Sequence, residues 1–160
     1  LECLVWRDSK TLLNEIDISS CFWRMANLDI SINDDYSLDF LWDWLIISTP
    51  IWSTWYNVSL GWPIIPHSLE AFSLSPKAPR KPVKQFPILI DNKNIIKIKN
   101  NDKNSSVDIY ADGILFKKIR NLDETIIIKK SSKEIDLIFD YSDNSYPDFK
   151  VLKEQGFKIK

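Results

Sequence analysis

The stretch from residue 95 to residue 129 constrains the fold most, because its apolar residues recur at a period of two. Ile95-Ile96-Lys97-Ile98-Lys99 alternates apolar with basic side chains, and Val107-Asp108-Ile109-Tyr110 alternates again. Successive strand side chains point to opposite faces, so this spacing builds a sheet with one apolar face. Asp112-Gly113 follows at once, ahead of Ile114-Leu115-Phe116. Asp-Gly between two such runs favours a two-residue hairpin, because both residues tolerate positive φ. Pro87-Ile88-Leu89-Ile90 opens the region, Thr125-Ile126-Ile127-Ile128-Lys129 is rich in β-branched residues, and Ile135, Leu137, Phe139 and Tyr141 continue the alternation. Six short strands at intervals of about ten residues predict an antiparallel sandwich or barrel. The fold class expected is mainly β.

The preceding residues read differently. All seven tryptophans (Trp6, Trp23, Trp42, Trp44, Trp52, Trp55 and Trp62) lie before residue 76. Asp34 or Asp35 is placed to cap a helix in which Leu38, Leu41, Trp42 and Leu45 share a face, with Pro50 ending it. The tryptophan-rich region is expected to carry at most one or two short helices. No charge occurs from Trp44 to Leu69, a run of 26 residues. Pro50, Gly61, Pro63, Pro66 and several hydroxyl side chains interrupt it, unlike a spanning helix, so no membrane contact is expected.

Charge divides the chain at the same place. Residues 1–75 hold ten acids and three bases, whereas 76–160 hold twelve acids and eighteen bases. Opposite signs of this size let two parts dock on each other. Between them, Pro76, Pro79 and Pro82 recur at a spacing of three, which holds a chain extended. The organisation expected is an acidic region over 1–75, a basic proline-rich linker or arm over 76–87, and a β-rich domain over 88–160.

Few residues offer chemistry. His67 is the only histidine, and the three glycines, Gly61, Gly113 and Gly156, are too scattered for a phosphate-cradling loop. Nucleotide binding is therefore disfavoured, and no catalytic residue, metal site or cofactor is expected. Cys3 and Cys21 are expected as reduced, packed thiols, with one bridge between them as the alternative. Asp34-Asp35, or Asp140 with Asp143, offers paired carboxylates, but such acids beside Asn and Ser at strand ends usually form turns. The lysines after residue 76 are interleaved with acids, so nucleic acid is not expected as a partner. Starting at Leu1, with Met25 as its sole methionine, the chain reads as a processed product or a piece of something longer.

Trp52, Trp55, Tyr56 and Trp62 are the candidate contact residues. Large amphipathic rings among uncharged polar groups suit core packing, a protein interface or a sugar-stacking surface. Over residues 86–142, and specifically at Val107-Asp108-Ile109-Tyr110-Ala111-Asp112-Gly113-Ile114-Leu115-Phe116, the chain resembles β-sandwich modules of phage tail and other virion structural proteins. The resemblance implies an assembly role without catalysis. The expected function is thus a non-enzymatic structural or interaction component, of a virion or in the cytoplasm. Its partners would be other protein subunits, including further copies of the chain. A carbohydrate-binding module and a carboxylate-dependent hydrolase are the alternatives.

Overall fold

Alternating Ile and Val side chains bury one face of each strand, and two such faces laid together exclude water from both. The computed structural model describes residues 1–21, 25–54, 58, 61–77, 87–120, 122–136 and 138. Twelve strands form among them: β1 (Glu2–Val5), β2 (Asp8–Thr11), β3 (Glu15–Ser20), β4 (Ala26–Ile32), β5 (Tyr36–Trp42), β6 (Trp44–Ser48), β7 (Ala71–Lys77), β8 (Ile88–Asp91), β9 (Ile96–Asn100), β10 (Val107–Ala111), β11 (Ile114–Ile119) and β12 (Thr125–Lys129). A short 3-10 helix spans Pro50–Thr54. The strands make two six-stranded sheets, in the orders β2-β1-β12-β9-β4-β5 and β11-β10-β3-β6-β7-β8, and every pairing is antiparallel.

The mainly β class expected from the alternation is the class observed. One core lies between the sheets, with Val5, Leu28, Ile30, Ile96, Ile98, Ile126 and Ile128 from the first and Ile16, Ile18, Leu45, Ile47, Leu74, Val107 and Ile109 from the second. Both sheets take strands from before and after the proline-rich stretch. Its first two residues, Pro76 and Lys77, close β7, and residues 78–86 lie outside the described ones. Cys3 and Cys21 are free thiols, and burial pushes Cys3 up to about 12.

The opposite charges of the two parts meet across this interleaving. Lys97 pairs with Asp34, Lys117 with Asp8, Lys129 with Glu2, and both Lys93 and Lys130 with Glu70. Each joins an acid from before residue 76 to a base from after it. The pairs sit at the surface, where solvent and salt screen them and each contributes little.

One expected element is corrected. The helix from Asp34 or Asp35 is instead a turn, with Asn33 at φ 52° and Asp34 at φ 63°, followed by β5. Leu38 and Trp42 are four apart, a spacing that fits one face of a helix and one face of a strand equally. Trp42 faces the core opposite Ala26, and Leu38 packs beside it opposite Ile30. Pro50 starts the 3-10 helix rather than ending a longer one. Of the further alternation, Leu137, Phe139 and Tyr141 lie outside the described residues, and Ile135 lies outside both sheets.

The β10–β11 hairpin forms as expected, with Asp112 at φ 49° and Gly113 at φ 73°. A Cβ at Gly113 would meet nothing within 4 Å, so any cost of substitution comes from the backbone alone. Gly113→Ala is expected to lower the unfolding free energy by about 1–2 kcal/mol. Urea denaturation checks this, and no loss would contradict the left-handed conformation.

Candidate active site

A second face of the β11-β10-β3-β6-β7-β8 sheet carries the chemistry. Ile16, Ile18, Leu45, Ile47, Phe72, Leu74, Val107 and Ile109 point into the core, so their alternating neighbours point the other way. Strand register arranges those neighbours in rows. Glu15 lies opposite Ser48, which lies opposite Ser73; Asp17 lies between Tyr110 and Ile46; Ser19 lies between Asp108 and Trp44. This face is polar yet covered. Glu15, Ser19, Ser48, Ser73, Ser75 and Asp108 are all buried, and the 3-10 helix packs on β6 and β7.

Buried polar groups need partners, and most here have them. The Ser48 and Ser73 hydroxyls bond each other at 2.8 Å. Asp108 accepts from Lys118 at 3.2 Å, and Lys77 lies over the Trp44 ring, 4.4 Å from its centre. Ser53 donates to Pro50 O at 2.7 Å and accepts from Ile65 N at 2.9 Å, tying the 3-10 helix to the segment after Gly61.

Two carboxylate oxygens on this face have no hydrogen-bond partner among the described residues: Oδ1 of Asp108, and Oε2 of Glu15, a side chain that is 6% exposed. Burial first, then the charges of Asp17 and Asp112, push its carboxyl up to about 7. Burial also raises Asp17, to about 6. A carboxyl near neutrality can exchange a proton at working pH, and a bare carboxylate oxygen accepts hydrogen bonds from hydroxyl groups. Perturbed acids held together in this way mark functional sites more often than ordinary surface.

Three turns fix Glu15 in place. The Asp112 carboxylate accepts from Leu13 N at 3.0 Å, Asn14 N at 2.8 Å and Glu15 N at 3.3 Å. On the other side, Thr49 donates through N to Asn14 O and through Oγ1 to Leu13 O, each at 2.9 Å. The turn entering β3 is thus clamped by its N–H groups to the β10–β11 hairpin and by its carbonyls to the end of β6. Beside it opens a cleft of about 500 Å³, lined in part by Leu13, Thr49, Ile51, Asp112, Lys133 and Glu134.

The structure places Trp52 in the 3-10 helix and Trp62 just after Gly61, both half-buried; Trp55 and Tyr56 lie outside the described residues. Asp34 and Asp35 sit in the β4–β5 turn. Asp140 and Asp143 lie outside the described residues. Sequence reasoning missed Asn14, Glu15 and Asp17. Glu15-Ile16-Asp17-Ile18 was a legible signal, since two acids two apart beside β-branched residues share one strand face. Among the described residues no group of three His, Cys, Asp or Glu side chains is placed to hold a metal ion, and no helix is long and apolar enough to cross a membrane.

Comparison with known proteins gives this face a context. The family described as ATP-NAD kinase C-terminal domain matches residues 16–139. The NAD kinase of Clostridium perfringens is 36% identical over 148 residues, covering 92% of this chain and 52% of that protein. The NAD kinase of Wigglesworthia glossinidia brevipalpis is 36% identical over 151 residues, 93% of this chain and 49% of its own length. The chain thus spans about half the length of these relatives. Yeast NADH kinase, solved with NADH, superimposes with a TM-score of 0.73 at 23% identity over 84% of this chain and 40% of its own, which shows a shared fold. An Archaeoglobus fulgidus NAD kinase, solved with ATP, gives 0.64 at 26% identity over 82% of this chain and 50% of its own.

These matches overturn the resemblance to virion modules and the non-enzymatic assembly role drawn from it. They overturn the sugar-binding and hydrolase alternatives as well. Tyr-x-Asp-Gly reports only a hairpin turn, which unrelated sheets share. Strand pairing sets Glu15 beside Ser48 and Asp17 beside Tyr110. With a family match over most of its length, the chain belongs to the ATP-NAD kinase C-terminal domain family.

Proposed function

We propose that this chain supplies the dinucleotide-holding part of an enzyme that transfers a phosphoryl group to NAD or NADH. The carrying observation is the buried, unpartnered Oε2 of Glu15, on the polar face of a domain whose relatives are named NAD kinases. A ribose offers vicinal hydroxyls, and a fixed acidic side chain is a recurrent partner for them. Glu15 accepts one such hydroxyl, while Asp17, two residues along the same face, sets the local field. Phosphoryl transfer asks a protein chiefly for positioning and charge stabilisation, and a turn clamped on both edges provides the first.

Titration of NAD into this chain by calorimetry tests the reading. Glu15→Gln keeps the shape of the side chain and removes its charge, and it is expected to weaken NAD binding about ten-fold. Unchanged affinity in Glu15→Gln, with saturable binding in both proteins, rules Glu15 out of the site.

A further inference from the structure

A second cleft lies at the far end of β1 from Leu1, which lines the first. Its volume is about 420 Å³, and it is lined by Trp6, Lys103, Arg120, Leu122, Asp123 and Glu124. Three loops meet there: the turn between β1 and β2, the loop after β9, and the segment entering β12.

Trp6 is the anomaly. Val5 pairs with Asp8, so Trp6 and Arg7 are the two central residues of a tight hairpin. Trp6 takes φ 56°, a region that a bulky side chain seldom occupies and that glycine fills freely. The same residue is 76% exposed, so burial does not compensate the strain. Strained residues cluster at ligand clamps, where the conformation serves to aim a side chain. Arg120 and Lys103, the two cations beside it, line the same cleft as the ring.

We propose that this cleft binds a free nucleotide, at a site separate from the one that includes Glu15. The Trp6 ring offers a flat face on which a base stacks. Arg120 offers a planar fork matched to phosphate, with Lys103 as a second charge. Asp123 offers an acceptor for a ribose hydroxyl. Two acids balance the two bases, which disfavours a long polyanion, so the ligand is a small nucleotide rather than a nucleic acid.

Adenosine 5′-monophosphate is the probe, titrated by calorimetry into this chain. Saturable binding is expected, with adenosine and inorganic phosphate each at least about ten-fold weaker, since each lacks one recognised part. Trp6→Gly suits the turn better than the native residue and leaves the thermal midpoint unchanged or higher. It removes the stacking face, and it and Arg120→Ala are each expected to weaken binding about ten-fold. Glu15→Gln is expected to leave it unchanged, which separates this site from the proposed NAD site. Absence of binding, full binding in Trp6→Gly, loss in Glu15→Gln, or tighter binding of a single-stranded oligonucleotide than of the monophosphate each overturns the proposal.

Discussion

Moving the protein from pH 8 to pH 5 is expected to raise its unfolding free energy by roughly 3–5 kcal/mol, since each tenfold change in proton affinity on folding is worth about 1.4 kcal/mol. Glu15 titrates at about 7 in the folded chain against 4.5 when unfolded, and Asp17 at about 6 against 3.8. Between those values the folded protein keeps protons that the unfolded chain has released. Stability from these groups is therefore complete below about pH 4 and is lost as pH rises through 6 to 7. Above about pH 8 the contribution is flat. Denaturant midpoints measured across this range check the sign, and a profile that is level or rises toward pH 8 contradicts the burial of charge at β3. Glu15→Gln should remove the larger share of the slope and make the protein more stable at pH 8. A variant that is more stable yet binds NAD less well is what a group kept for function at a cost in stability produces.

The second large effect belongs to Asp112. Asp112→Ala removes one carboxylate that accepts from three successive backbone N–H groups, and it leaves a non-glycine residue without a local hydrogen bond at φ 49°. Bonds to a charged acceptor contribute more than neutral ones, but water can replace part of them at this half-buried turn, so a loss of about 3 kcal/mol is expected. Asp112→Asn retains one acceptor oxygen and tolerance of positive φ, and should lose about half as much. Urea denaturation of both variants gives the comparison. Equal losses in the two would mean that the carboxylate acts only as a turn residue. Asp112→Ala should also weaken NAD binding with Glu15 intact, because the turn that aims Glu15 is no longer clamped.

Asp112 shows how far the sequence was legible. Asp-Gly between alternating runs gave the hairpin, since turn chemistry is local and both residues took positive φ. Its second task, holding the turn before β3, spans almost a hundred residues of chain and follows from the pairing of β10 with β3, which no local pattern encodes. The pairing of Glu15 and Asp17 on one strand face was legible, but their burial was not, because Ser48, Tyr110 and Asp112 reach them from distant parts of the chain. Leu38 and Trp42 misled because a spacing of four suits helix and strand alike.

The placement of β1 beside β12 governs how the chain reaches its native state. The first strand finds its inner neighbour only in residues 125–129, and β3 waits for residues 107–111. Contacts this distant in sequence require large loops to close before they stabilise anything, a topology associated with folding in milliseconds to seconds. During synthesis β1 can pair with β2 and β3 with β6, but the other edge of each stays open until most of the chain has followed, a period in which it is vulnerable to association with other chains. Separately expressed pieces cut near residue 80 should each remain incomplete, and a native sandwich should appear only when the two are mixed.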